Sequence, residues 1–314
     1  AAIWNRKPLE QVTAADVREH FEINALGTFL CCQQAGLAMV AQPQGGAIVT
    51  VGDWAVERPY LNYAAYFPSK GAIPAVTRTL AVELGTRNPR VRVLNDDARH
   101  FLYTTNERFD AITSDPFDAW ARGAAALSTR EFLAEMRRHL NPGGVVTLWV
   151  PLYETTTDVV RTEIATFLDV FPDAAMFGNA DNGLGYDTVL VGSAGPLRID
   201  VDAIEARLAD PQYRKVRDSL EQSGFHGATT LLATYAASGK QLARWSAGAP
   251  LNRDRDLRLQ YLAGLRLDMD DPAGVYRGIV AASEWPEGLF VGSPATLDLL
   301  RDRYEHARKH TLAN

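Results

Sequence analysis

The sequence predicts an α/β fold: a doubly wound, mostly parallel sheet followed by a helical C-terminal region. Two observations carry this. Helical and apolar-strand patterns alternate through the first part of the chain, and that alternation calls for parallel strands joined by right-handed crossovers. In addition, the short apolar runs Val91–Leu94 and Phe109–Thr113 are each followed at once by acid, Asp96–Asp97 and Asp115–Asp118. Strands that deliver carboxylates at their C-terminal ends are the usual layout of a nucleotide-type site on an open sheet.

Composition bounds the function. The 314 residues are 46% hydrophobic and 22% charged, enough for a large core. A net charge of −6 argues against a nucleic-acid surface, because phosphate binding needs clustered Lys and Arg. No run of about 18 apolar residues is present, so no membrane span is expected. The N-terminus, AAIWNRKPLE, has neither the basic nor the apolar region of a secretory signal. It lacks an initiator Met, as expected of a sequence that starts inside a longer frame. The two cysteines, Cys31 and Cys32, are expected to be small buried hydrophobes in a reducing compartment, which points to the cytoplasm.

Thr13 and Asp16 predict a capped helix start, with Thr13 at the N-cap and Asp16 at N3. The helical pattern then runs to about Met39. Gln42 to Gly46 reads as a turn and Gly46–Gly52 as a fully buried strand. A second helix follows from about Tyr66 to Gly85, and then the strand Val91–Leu94. In Tyr66-Phe-Pro-Ser-Lys70 the four-residue gap puts a phenol and an ammonium on one helical face. A nearby ammonium favours phenolate and suits Tyr66 to proton transfer near neutrality. Pro68 is tolerated because it falls in the first turn. Alone, such a pair is more often an exposed helix face.

The context changes that balance. Asn24 in Glu-Ile-Asn-Ala-Leu-Gly-Thr-Phe, the strand ending in Gly52-Asp53, Tyr66 and Lys70, and the text Ser69-Lys-Gly-Ala-Ile through Thr77-Arg-Thr-Leu-Ala-Val-Glu-Leu84 to Arg90-Val-Arg-Val resemble the short-chain dehydrogenase/reductase family over residues 1–94. The resemblance implies that Asn24, Tyr66 and Lys70 fall on catalytic positions and that Lys70 contacts an NADP cofactor. Asp53 stands where most members carry a serine, which resembles the pteridine-reductase branch and implies a pterin-like substrate. The family's Gly-rich phosphate turn and its later Pro-Gly segment are not found in this stretch.

After Val93–Asp96, where the two likenesses join, the text is different. Asn95-Asp-Asp-Ala-Arg-His-Phe-Leu, Phe109-Asp-Ala-Ile-Thr-Ser-Asp-Pro-Phe-Asp118, Leu127-Ser-Thr-Arg-Glu-Phe, Asn141-Pro-Gly-Gly and Pro151-Leu-Tyr resemble the spermidine-synthase (aminopropyltransferase) family, whose fold is a Rossmann-like methyltransferase sheet. Aminopropyl transfer needs carboxylates to bind a cationic amine, remove a proton and hold the reactants in line. By resemblance Asp97 contacts the adenine end of decarboxylated S-adenosylmethionine, Asp115 orients or deprotonates the amine, and Asp118 holds it. The alternative is that Asp115 and Asp118 are turn and helix-cap residues. The family's Gly-rich donor loop belongs before Val91, where reductase-like text stands, and Ala119 replaces the family's Pro. An impaired site is therefore expected.

The expected organisation is residues 1–94 and 95–195 together in one α/β sheet, with strands at Val145–Val150, Ala174–Phe177 and Thr188–Val191, and residues 196–314 as helices. Those helices are expected at about Val201–Leu208, Gln212–Ser223, Ala228–Ser238, Gln241–Ser246, Leu257–Arg266, Gly274–Ala282 and Pro294–His310. Asn252 and Asp254 fall in a stretch that resembles an amine-side segment of the synthases, or else form a solvated loop with a cap. His306 and His310 are read as a solvated terminal face, with no third metal ligand at suitable spacing. The leading expectation is a spermidine-synthase-like aminopropyltransferase domain and the alternative a pteridine-reductase-like NADP-dependent oxidoreductase, each acting on a small molecule (polyamine or pterin-like). A non-catalytic fusion is the third alternative. A homo-dimer follows if the hybrid sheet leaves an unpaired edge.

Overall fold

The computed structural model describes residues 2–42, 45–56, 58–85, 87, 91–94, 96–114, 123–181, 184–264 and 271–313. The chain is α/β and divides into two compact units, Ala1–Phe101 and Leu102–Asn314.

In the first unit Thr13 caps α1 (Ala14–His20). Its side chain accepts from the Asp16 N–H, and the Asp16 carboxylate accepts from the Thr13 N–H at 2.6 Å. Wider π-type turns at Phe21–Leu26 follow, and then α2 (Gly27–Ala41). The stretch Ala14–Ala41 is long and apolar enough to cross a membrane by length and composition, with a mean hydropathy of 1.3 in its most apolar window. The chain continues through β1 (Gly46–Ile48), α3 (Tyr66–Gly71), α4 (Ile73–Gly85) and β2 (Val91–Val93). The helix expected as one piece is thus broken at Ala72, because Pro74 has no N–H with which to continue the ladder. Cys32, Leu80 and Leu84 form a core with Phe29, Met39, Val40, Ile48 and Val76 packed against it.

Three expectations for this unit are corrected. The strand from Gly46 is three residues long, not a buried run to Gly52, and Val49 and Val51 are 66% and 43% exposed. A buried parallel strand needs a partner on each side and cover on each face. Among the described residues β1 pairs only with β2, in parallel with Gly46 opposite Val91, so these strands do not join the larger sheet. Cys31 is exposed while Cys32 is buried, since helix neighbours point in different directions and cannot both face one core.

The second unit is built on a five-stranded sheet in the order β3-β4-β6-β5-β8, from β3 (Phe109–Ser114), β4 (Leu140–Pro151), β5 (Ala175–Asp181), β6 (Leu184–Ser193) and β8 (Tyr235–Ser238). The β3/β4 pair is parallel, and the pairs β4/β6, β6/β5 and β5/β8 are antiparallel. Along β4, Val146, Leu148 and Val150 are fully buried at alternate positions, as period-two side chains on a covered face must be. Phe132, Leu133 and Met136 are the buried residues of α6 (Arg130–Arg138), and Ile164 and Phe167 are buried on α7 (Thr157–Val170). Asn141–Gly144 bulges out of β4, with Gly143 at φ +78°, a conformation that favours glycine.

The helices expected after 196 form, as α8 (Val201–Ala209), α9 (Arg214–Gln222), α10 (Ala228–Leu232), α11 (Gly239–Trp245), α12 (Arg258–Gly264), α13 (Pro272–Ala281) and α14 (Pro294–Ala313). One is corrected. The run Ala228–Ser238 is helical only to Leu232, and Tyr235–Ser238 is strand β8. There Ala175 and Met176 of β5 lie opposite Ser238 and Ala237, so the strand supplies partners along an edge that a helix would leave bare. Gly239 closes the strand because a Cβ there would strike the Pro172 carbonyl and the Ala174 backbone. A short parallel pair, β7 (Ile199–Asp200) with β9 (Phe290–Val291), went unseen in the pattern.

Tyr235, Phe290 and Tyr304 belong to one core cluster, with Phe177 and Trp285 packed against it. Burial pushes the Tyr235 and Tyr304 phenols up and the Tyr276 phenol up to about 12. Asn252 is fully buried and clamps three segments. Its amide donates to the Ala125 carbonyl at 2.7 Å, its side-chain oxygen accepts from Leu259 N–H at 3.2 Å, and its own N–H donates to Thr166 Oγ1 at 2.9 Å. It is a structural clamp with every side-chain group engaged, rather than an open amine ligand.

Asn252→Ala leaves a buried carbonyl and a buried N–H unpaired, and it should cost about 2–4 kcal/mol in urea titration of the full chain. In the first unit the Lys7 ammonium and the Thr13 hydroxyl hold the Asp16 carboxyl well below the usual carboxylate range. A depressed carboxyl stabilises the fold above its unfolded pKa, and that contribution disappears as pH falls through the folded value. Acid titration of the thermal midpoint should therefore show a loss below about pH 4 that is smaller in Asp16→Asn.

Candidate functional site

The first unit gathers four of the predicted residues. The π-type turns carry Asn24 inward, where it is 1% exposed. Its side-chain oxygen accepts from Ile3 N–H at 2.7 Å, and its amide donates to the Ile3 carbonyl at 2.8 Å and to Ser69 Oγ at 2.9 Å. Ser69 in turn donates to the Tyr66 carbonyl at 2.6 Å. Tyr66, one turn before Lys70 on α3, is 1% exposed, and its hydroxyl donates to Asp53 Oδ2 at 2.6 Å. Asp53 is held in place by Ala55 N–H, which donates to Oδ1 at 2.8 Å. Lys70 is 5% exposed and its ammonium donates to the Val51 carbonyl at 3.2 Å.

Aromatic rings pack around Tyr66. Trp4 stacks on Tyr63 at 5.2 Å between ring centroids and meets Tyr66 edge-on at 6.2 Å. Tyr60 meets Tyr63 and Phe67 edge-on at 5.3 and 5.0 Å. Burial first, and then the charge of Asp53, raises the Tyr60 phenol above its ordinary value. The shell was not foreseen, although the three-residue spacing of Tyr60, Tyr63 and Tyr66 was a readable signal; nothing local announces Trp4. Ser69 carries no signal of its own in the sequence, only a place in a longer family likeness. Chemically the set is a proton-transfer arrangement: a hydroxyl on a carboxylate, with an ammonium one turn away and the hydroxyl shielded from solvent.

Of the second set of predicted residues, Asp115 and Asp118 lie outside the described residues. Asp97 lies in the turn before α5 (Ala98–Thr104), is exposed, and accepts the His100 N–H at 2.9 Å, the bond of a helix cap. His100 also faces the Asp96 carboxylate at 2.9 Å, which lowers the Asp96 carboxyl. Asp254 donates its N–H to Glu131 Oε2 at 3.0 Å. His306 and His310 are exposed on α14, and no cluster of three metal-ligating side chains occurs among the described residues.

The protein is thus an α/β chain with Asn24, Asp53, Tyr66 and Lys70 in the first unit and the five-stranded sheet in the second. Comparison with known proteins finds two family models over different, overlapping stretches. Residues 1–103 match the family described as Enoyl-(Acyl carrier protein) reductase, and residues 73–178 match the Spermine/spermidine synthase domain. L-xylulose reductase of Caenorhabditis elegans is 35% identical over 95 residues, which are 30% of this chain and 38% of that protein. D-erythrulose reductase of Gallus gallus is 33% identical over 30% of this chain and 39% of its own length. Carbonyl reductase family member 4 of Xenopus tropicalis is 30% identical over 33% of this chain and 44% of its own length. The chain spans about two fifths of these relatives. Among solved structures, a probable spermidine synthase from Corynebacterium glutamicum aligns with a TM-score of 0.39 and 18% identity, over 72% of this chain and 78% of that one. Human methyltransferase-like protein 13 in complex with SAH aligns with a TM-score of 0.31 and 17% identity, over 62% of this chain and 91% of that one.

Tyr66→Phe removes the bond to Asp53 while keeping the ring in its aromatic shell. It should cost about 1–2 kcal/mol in the urea midpoint and leave the near-ultraviolet circular dichroism of the Trp4 region unchanged.

Proposed function

We propose that the first unit carries the acid–base half of an NADP-dependent carbonyl-reductase site. The observation that supports this is the 2.6 Å bond from the Tyr66 hydroxyl to Asp53, with Lys70 buried one turn on. Reducing a ketone adds a hydride to carbon and a proton to oxygen, and NADPH supplies the hydride when bound. Tyr66 hands its proton to the substrate oxygen, and the Lys70 ammonium stabilises the phenolate left behind. Asp53 holds the hydroxyl in line. Of these side chains Lys70 alone suits a ribose hydroxyl, so the residues present hold only that end of the cofactor. Two of the relatives are named as L-xylulose and D-erythrulose reductases and a third as a carbonyl reductase, and the acid at Asp53 suits a pterin-like ring, so the substrate is a small carbonyl or imine compound. Both cysteines are free, which fits a reducing compartment such as the cytoplasm.

The match of residues 73–178 supports a second reading by descent. There Asp115 and Asp118 steer a polyamine toward a sulfonium carbon and Asp97 takes the adenine end of the donor. This site is impaired, because reductase-like text fills the place of the donor loop.

Thermal stability of the full chain with NADPH, decarboxylated S-adenosylmethionine, S-adenosylmethionine or methylthioadenosine, each added alone, separates the two. A ligand at one hundred times its dissociation constant stabilises the native state by about 2.7 kcal/mol. A shift with NADPH alone, followed by turnover of a ketose or a pterin that Tyr66→Phe abolishes, is the expected result. A shift with the sulfonium nucleosides or methylthioadenosine alone moves the function to the second reading, and no shift with any of the four overturns both.

A further inference from the structure

The second unit carries a hollow of about 510 Å³ whose lining includes none of the predicted site residues. It lies where β3 and β4 begin, since Arg108 immediately precedes Phe109 and Leu140 opens β4, and Arg108, Arg137, Arg138 and Asn141 line it with Pro142 and Ala194.

What sets this hollow apart is how its cations are held. Arg137 donates to the Val170 carbonyl at 2.8 Å and to the Ala194 carbonyl at 3.1 Å. Arg108 donates to the Leu140 carbonyl at 2.9 Å. Main-chain carbonyls fix a guanidinium in place without cancelling its charge. Arg138, by contrast, is paired with Glu135, and the Asn141 amide donates to Asp110 at 2.9 Å. A guanidinium has five N–H donors, so Arg108 and Arg137 each keep donors beyond those the carbonyls take. Two exposed guanidinium groups that make no ion pair among the described residues thus line one hollow, and guanidinium N–H donors suit phosphate oxygens. They stand out in a chain whose net charge is −6.

We propose that this hollow is a binding site for the phosphate group of a small molecule, with Arg108 and Arg137 as its recognition residues. Arg137 and Arg108 donate to the anion with the N–H groups the carbonyls leave, and Arg138 adds positive field while tied to Glu135.

The test is isothermal titration of the full chain with inorganic phosphate, with pyrophosphate, and with succinate as a dicarboxylate of comparable charge. Saturable binding of phosphate or pyrophosphate that weakens by about tenfold in Arg108→Gln is the expected result. Arg137→Lys is the second variant, because it keeps the charge and loses the fork; it should weaken binding while the circular dichroism spectrum stays that of the parent. If both variants bind as tightly as the parent, the anion sits elsewhere and the proposal fails. Equal binding of succinate overturns the phosphate assignment, and no saturable heat at millimolar phosphate or pyrophosphate overturns the site itself.

Discussion

A strand inside a protein has to pair its backbone along both edges, and that constraint orders this molecule. β4 meets it in full: it pairs with β3 on one side and β6 on the other, and every second side chain from Val146 to Val150 is fully buried. β5 meets it by recruiting Tyr235–Ser238 from a run whose local pattern is helical. β1 has one partner among the described residues, and the apolar chain beyond Ile48 turns Val49 and Val51 toward solvent instead of extending the sheet. The same demand thus produces a well-packed sheet in one unit and a truncated pair in the other.

The acid–base group of the first unit needs little of that sheet. Asn24, Ser69 and the Tyr66 carbonyl form one hydrogen-bonded chain, and Asp53 with the Tyr66 hydroxyl forms a second contact beside it. Both rest on helix turns and on the Trp4–Tyr63 stack, so the arrangement persists where the strands are short. The two family matches overlap at residues 73–103, the stretch that holds α4 and β2.

Local features were legible in the sequence and distant pairings were not. Thr13 and Asp16 announce their cap within three residues, and the Tyr66–Lys70 spacing places both on one helical face before any coordinates are known. The Asp53–Tyr66 contact was legible only as a family likeness, since thirteen positions separate the partners. β8 was missed because its partner is Met176 and not a sequence neighbour. Asn252 was noticed for the wrong reason: its text suggested a ligand, while its bonds to Ala125 and Leu259 make it a clamp that no short pattern encodes.

The buried phenols of the second unit have a spectroscopic consequence. Tyr235, Tyr276 and Tyr304 sit in or beside the core, and burial makes each a weaker acid than tyrosine in water. In alkaline solution the folded chain therefore withholds these phenolates until the core opens. The ultraviolet phenolate signal should rise in two stages, the later one coinciding with loss of structure, so that the core's own chromophores report when it opens.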